Sequence, residues 1–185
     1  MKLSIIIISF QSNHLLKKIL NNFPKKYQII IVENSMLKST KKLEKKFKNT
    51  SVIIPNENLG YSKALNLALK KCKNNFVLTL TPDVLINKNL ISNIEKVINK
   101  FKQFTLLAPE YRNQKIYKNY TTFDNKPSNK KKILNFEIEE VKEIDWCFCI
   151  LNKKKFSNSK ILDENFFMYF ETTDLCKKLL KLKRK

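Results

Sequence analysis

The first apolar run, Leu3 to Phe10, limits what this chain can become more than any other feature. It reads Leu-Ser-Ile-Ile-Ile-Ile-Ser-Phe, dense in β-branched residues and without the polar alternation of a half-solvated strand. A strand of that kind must be covered on both faces, which happens in parallel sheets flanked by helices. The run is too short to cross a bilayer and is followed by Gln11-Ser12-Asn13, not by a small-residue cleavage site. A buried first strand in a cytoplasmic protein is the expectation.

The rest of the first half alternates two periodicities. His14 to Phe23 places Leu15, Leu16, Ile19, Leu20 and Phe23 at helical spacing, and Tyr27 to Val32 is a second strand. Helices are expected over Lys38–Phe47, Tyr61–Cys72 and Leu90–Phe101, with strands over Ser51–Ile54, Phe76–Leu80 and Thr105–Ala108. Strands and helices in this order imply right-handed crossovers, hence an α/β, Rossmann-like, mostly parallel central sheet flanked by helices. Residues 111–135 lose periodicity and read as a long loop. Glu137–Leu151 is extended, and Thr173–Leu182 is a helix with a basic end. The whole chain, 1–185, reads as a single domain. Its first half, 1–110, carries the strand ends, and its second half, 111–185, is expected to be a shortened form at its C-terminus.

Ligands of such sheets bind at the carboxyl ends of the strands. Those ends carry Ser9-Phe10-Gln11, Glu33-Asn34-Ser35, Asn56-Glu57-Asn58 and Thr81-Pro82-Asp83, four polar clusters on one edge. Glycine-loop nucleotide folds are disfavoured, because Gly60 is the sole glycine. A phosphate held here needs a cation or metal. The net charge of +21 would ordinarily suggest nucleic acid, but only Arg112 and Arg184 are arginines. Phosphate and guanine recognition favours arginine forks, so no nucleic-acid partner is expected. The four cysteines form no CxxC pair and His14 is the lone histidine, which argues against zinc and for free thiols, buried at Cys72 and Cys176.

Four segments in order carry a family resemblance. They are Glu33-Asn34-Ser35; Asn58-Leu59-Gly60-Tyr61-Ser62-Lys63-Ala64-Leu65-Asn66; Thr81-Pro82-Asp83; and Leu162-Asp163-Glu164-Asn165-Phe166-Phe167-Met168-Tyr169-Phe170-Glu171-Thr172-Thr173-Asp174-Leu175. The set resembles glycosyltransferase family 2, of GT-A fold, and within it the rhamnosyltransferase-like bacterial members. The resemblance implies an inverting transfer of sugar from a UDP- or dTDP-linked donor to a glycan or lipid-linked acceptor, in surface-polysaccharide assembly. A catalytically weak scaffold of the same fold is the alternative.

The resemblance also implies residue roles. Asp83 becomes the residue linked to Mg²⁺ or Mn²⁺, against a plain reading as a turn-forming Pro-Asp. Ser9, Phe10, Asn58, Gly60 and Lys63 fall on the nucleotide side. Glu33 stands beside the nucleoside or is an exposed turn residue, and Asn66 contacts the donor or serves its helix. Transfer with inversion needs a base for the acceptor hydroxyl. The family's acidic pair reads Glu171-Thr172 here, and threonine cannot be that base, which leaves Glu171 or, one turn on, Asp174. Asp145, Trp146, Asp163, Glu164 and Tyr169 are assigned to the acceptor side, with Trp146 either stacking on a sugar or filling the core. Phe166 and Phe167 are expected as core plugs. The basic C-terminal helix could hold the protein peripherally at an anionic membrane face, each lysine adding about 1 kcal/mol.

Overall fold

The structure is a computed structural model that describes residues 3–86, 88–110, 119–124, 129–157 and 160–182. The elements run β1 (Leu3–Ser9), α1 (Asn13–Leu20), β2 (Gln28–Glu33), α2 (Lys42–Lys46), β3 (Thr50–Ile53), α3 (Gly60–Lys71), β4 (Phe76–Leu80) and α4 (Lys88–Lys100). They continue with β5 (Leu106–Leu107), β6 (Tyr120–Thr121), β7 (Lys130–Ile133), β8 (Phe136–Glu139), β9 (Glu143–Ile144), β10 (Phe148–Asn152) and α5 (Glu171–Lys181). One six-stranded sheet, ordered β3-β2-β1-β4-β10-β5, forms the centre.

β1 lies inside this sheet, parallel to β2 on one side and β4 on the other. Its side chains alternate between two cores, as the strand period of two requires. Leu3, Ile5 and Ile7 pack with Leu16, Ile19 and Leu20 of α1 and Ile91, Ile94 and Ile98 of α4. Ile6 and Ile8 pack on the other face with Ala64, Leu65, Ala68 and Leu69 of α3 and Leu175 and Leu179 of α5. Each isoleucine so buried contributes about 1.5–3 kcal/mol. The α/β sandwich expected from the first strand is therefore present, mostly parallel and covered by helices on both sides.

The second half departs from expectation in its strands. β10 enters the sheet antiparallel between β4 and β5, so the short β5 pairs with β10 and not with β4. The extended stretch 137–151 is broken into parts of three strands, β8, β9 and β10. Within the expected long loop, β6 pairs with β9 and β7 with β8, while residues 111–118 and 125–128 of that loop lie outside the described residues. β7 escapes a hydrophobic pattern because Lys130 and Lys132 face Glu139 and Glu137 across the ladder, so charge pairing stands in for apolar alternation. The helix expected from Lys38 begins as a single 3₁₀ turn, Lys38–Lys41, before α2. Cys72, Cys149 and Cys176 are buried free thiols and Cys147 is an exposed one. Among the described residues no helix is long and apolar enough to cross a membrane.

Asn66 ties the two halves together. Its Oδ1 accepts from the backbone N–H groups of Ile161 (3.0 Å) and Leu162 (3.2 Å), and its Nδ2 donates to the Leu162 carbonyl (2.8 Å). This side chain is fully buried, and its Nδ2 also donates to Glu164 Oε1 (3.3 Å). Asn66 therefore fastens α3 to residues 161–162 and stands outside the cavity lining. An Asn66→Ala variant is expected to lose about 1–3 kcal/mol of stability, because buried backbone groups of 161–162 lose their partners; urea unfolding at neutral pH measures it.

Candidate functional site

The carboxyl ends of β1, β2 and β4 meet at one edge of the sheet, as a parallel arrangement demands. There they enclose a cavity of about 340 Å³ lined by Ser9, Phe10, Asn34, Asn58, Tyr61, Thr81, Pro82, Asp83 and Met168, with Ile8, Ser12 and Leu15 behind them. Of the residues expected on the nucleotide side, Ser9, Phe10, Asn58 and Asp83 come together in this lining. Asn34, Tyr61 and Met168 belong to the same wall; they stood inside the quoted motifs, but nothing in the pattern distinguished them from their neighbours.

The loop before α3 explains the lone glycine. Asn58 Oδ1 accepts from the Gly60 N–H (3.0 Å), and Gly60 adopts φ +70. A Cβ at this position would run into the Phe167 carbonyl and come within 2.7 Å of that residue's ring. The same carbonyl accepts the Tyr61 N–H at 2.7 Å. Gly60, between the lining residues Asn58 and Tyr61, therefore lets the 166–170 loop close on α3.

Glu33 is fully buried and so is not the exposed turn residue that was one of its two expected roles. Its Oε2 accepts from Ser9 Oγ (2.8 Å), and its Oε1 accepts from the N–H groups of Gln11 (3.3 Å) and Ser35 (3.1 Å) and closely from the Ser35 hydroxyl. Asn34 sits beside it with its backbone N–H on the Ser9 carbonyl (2.8 Å) and its Nδ2 on the Gly60 carbonyl (2.9 Å). Lys63 is exposed on α3, outside the cavity lining.

The residues expected as catalytic or on the acceptor side do not join the cavity lining. Glu171 opens α5 and is 7% exposed, with Oε2 lacking a protein partner. Burial pushes its carboxyl above the usual range. Burial first, then the Cys149 thiol and Glu171 by charge, push the phenol of the cavity residue Tyr61 well above its ordinary value. Asp174 is taken up by Lys178 at 2.6 Å, and Lys178 also reaches Asp163 at 3.3 Å. Glu164 pairs with Lys160 (2.7 Å). Trp146 packs among Ile6, Leu65 and Leu151, so of its two expected roles the core-filling one is seen. Asp145 is half-buried, its N–H on the Asn119 carbonyl.

Phe167 corrects an expectation. It is 55% exposed, not a core plug, and Met168, Tyr169 and Phe170 are exposed with it. The loop turns outward because Tyr169 (φ 68) and Phe170 (φ 64) are both left-handed, a conformation that costs bulky residues about 1–3 kcal/mol each. Among the described residues no three His, Cys, Asp or Glu side chains cluster as metal ligands. A metal at Asp83 would have to draw its remaining ligands from the bound substrate and water.

A family model described as glycosyl transferase family 2 matches residues 4–159. No curated protein matches the chain. Among solved structures, S. aureus TarS 1-349 has a TM-score of 0.71 at 20% identity, covering 96% of this chain and 55% of that one. The same protein in complex with UDP-GlcNAc gives 0.69 at 19% identity, with coverages of 96% and 53%. The mannosyltransferase PcManGT from Pyrobaculum calidifontis, in complex with GDP-Man and Mn²⁺, gives 0.72 at 12% identity, with coverages of 100% and 53%. The chain thus spans about half the length of these neighbours and shares their GT-A fold.

Two outcomes follow from the site's packing. Gly60→Ala is expected to cost more than about 1 kcal/mol, from both the positive φ and the Phe167 collision, read by chemical denaturation. For Glu171, a folded carboxyl raised above its unfolded value holds its proton longer than the unfolded chain does, so stability falls as pH rises through the raised value. Glu171→Gln removes that dependence. Its stability relative to wild type should therefore rise between pH 4 and pH 8, roughly the span across the ordinary carboxylate range, in parallel denaturation series.

Proposed function

The chain belongs to glycosyl transferase family 2, and from that premise we propose that it binds a nucleotide sugar in the cavity and transfers the sugar, with inversion, to a glycan or lipid-linked acceptor. One observation carries the reading. Asp83, at the end of β4, shares a cavity wall with Ser9, Phe10 and Asn58, on the edge of the sheet where ligands of such folds bind. The nucleotide sugars bound by the two neighbours support the donor class, and a UDP- or dTDP-linked sugar is the proposed donor. Surface-polysaccharide assembly is the proposed setting.

A donor of this class leaves as a nucleoside diphosphate, whose growing charge must be neutralised. Mg²⁺ is commonly held by one or two carboxylates together with substrate phosphates, and the single exposed Asp83 carboxylate fits such a site. When bound, a divalent ion there would stabilise the departing diphosphate. Glu171 is the proposed base. It takes the proton of the acceptor hydroxyl as that oxygen forms its bond to the anomeric carbon, while the anomeric C–O bond breaks and its electron pair leaves with the diphosphate. Burial, by raising the Glu171 carboxyl, makes it a stronger base than a solvated glutamate. The ion pair with Lys178 turns Asp174 away from the same work. Tyr169 and the exposed 166–170 loop are the proposed acceptor wall, with Asp145, Asp163 and Glu164 flanking it. Lys177 and Lys181, exposed on α5, would supply the cytoplasmic peripheral contact with an anionic membrane.

A second reading, a nucleotide-sugar-binding scaffold without turnover, is favoured by Thr172 in the acidic pair. The two separate on a donor screen with UDP- and dTDP-sugars and Mn²⁺. At a hundredfold excess over Kd, ligand adds about 2.7 kcal/mol, a rise of about 5–10 °C in Tm for a domain of this size. Asp83→Asn should abolish the Mn²⁺-dependent part of that rise. Glu171→Gln should keep the rise and lose about 10²–10⁴-fold in transfer. Absence of any nucleotide-dependent shift sinks the proposal, and a shift without turnover selects the scaffold.

A further inference from the structure

The exposed apolar side chains of this protein are gathered at one edge. Among the described residues, all the large ones except Leu134, Leu180 and Leu182 either follow the carboxyl end of a parallel strand or stand in the 166–170 loop. Phe10 follows β1, Met36 and Leu37 follow β2, and Leu85 comes two residues beyond Asp83 after β4. Phe10 and Met168 line the cavity, and the Phe167 carbonyl fastens the loop to the Tyr61 N–H, so the whole set shares the cavity's edge of the sheet as a rim. Leu85 is 97% and Phe170 73% exposed. Single exposed apolar residues are ordinary, but a set collected at one edge marks a surface that meets an apolar partner. The backbone repeats the pattern. Gln11 (φ 52), Met36 (φ 58), Tyr169 (φ 68) and Phe170 (φ 64) are left-handed without being glycine, and all four belong to this rim. Such turns ordinarily take glycine or asparagine. Here Met, Tyr and Phe stand in them with their side chains in water, which burdens the free protein with both strain and exposed apolar surface.

We propose that this rim docks on an anionic lipid surface, with Phe10, Leu37, Leu85, Phe167, Tyr169 and Phe170 entering the interface, so that an acceptor carried by a lipid reaches the cavity from the bilayer side. The docking stands on the rim alone. Its acceptor half rests on the nucleotide-sugar reading above, and narrows the glycan or lipid-linked acceptor to the lipid-linked one. Charge selects the occupant. Lys38 adjoins Leu37, and Lys63 lies on the first turn of α3, two residues past Tyr61; both are exposed. The 38–41 turn is tied to the start of α1 by Asn13, which accepts from the Thr40 hydroxyl (2.7 Å) and donates to the Ser39 hydroxyl (3.2 Å), so Lys38 is held at the same edge. Apolar side chains flanked by lysines suit an interface, where the first enter the acyl boundary and the ammonium groups meet lipid phosphates. A second copy of the chain would instead set these lysines, and a net charge of +21, against their like.

The test is co-sedimentation of the whole chain with vesicles of phosphatidylcholine and phosphatidylglycerol in equal parts, and with vesicles of phosphatidylcholine alone. Wild type is expected to bind the mixed vesicles and to bind the neutral ones far less. Leu37→Ser/Leu85→Ser removes two rim side chains that stand outside the cavity lining. It should lower partitioning at least about tenfold, with Tm and the response to UDP and Mn²⁺ as in wild type, because both side chains are exposed. Leu134→Ser, exposed outside the rim, should bind as wild type does. Brominated acyl chains should quench a Leu85→Trp variant more than wild type, whose single tryptophan, Trp146, is buried. Equal partitioning of wild type and Leu37→Ser/Leu85→Ser, lost from both at high salt, assigns attachment to lysines elsewhere and overturns the docking. A wild-type dimer in sedimentation velocity that the same double variant dissolves overturns it in favour of a second copy. A nucleotide response without vesicle binding sinks the docking and spares the donor reading; vesicle binding through the rim without a nucleotide response does the reverse.

Discussion

The two-sided burial of β1 is the constraint on which the rest depends. Ile5 and Ile7 face one core and Ile6 and Ile8 the other, so neither layer of helices can be omitted without exposing half of the strand. The parallel neighbours β2 and β4 follow, because helical crossovers are what return the chain to the same edge. The same requirement brings Ser9, Asn34 and Thr81 to one end of the sheet. The cavity is therefore a by-product of covering an apolar strand twice, and its chemistry lies in residues just beyond the hydrogen-bonded ladder.

The second constraint is polar. Asn66 grips the backbone of 161–162, and Gly60 admits Phe167 against the start of α3. These contacts link residues about a hundred positions apart and set where the 166–170 loop lies. Met168 reaches the cavity through that link, and Glu171 opens the helix that follows the loop. A cavity built from the first half of the chain thereby acquires part of its wall, Met168, from the second half.

How far the sequence spoke depended on which force shaped each segment. Where hydrophobic burial dominates, as in Leu3–Ser9, Gln28–Glu33 and Gly60–Lys71, periodicity marked the elements to within a few residues. It failed in Lys130–Ile133, a strand whose lysines face glutamates across the ladder, and at β10, whose place in the sheet is a long-range choice no local pattern encodes. At the site, Ser9, Asn58 and Asp83 were legible because strand ends of a parallel sheet converge. The burial of Glu33 was not, since a carboxylate after a strand ordinarily faces water, and only the four surrounding donors make its interior position tolerable. Phe167 was misplaced because an apolar run suggests a core. The two left-handed residues that turn the loop outward, Tyr169 and Phe170, carry no glycine to announce them.

The insertion of β10 between β4 and β5 has a consequence for how the chain is made. Thr79 and Cys149, partners across that seam, are 70 residues apart. At synthesis rates of about 5–20 residues per second, the apolar edge Phe76–Leu80 waits roughly 4–14 s for its partner to be translated. During that interval the nascent sheet carries an open, sticky border of the kind that recruits strands from other chains.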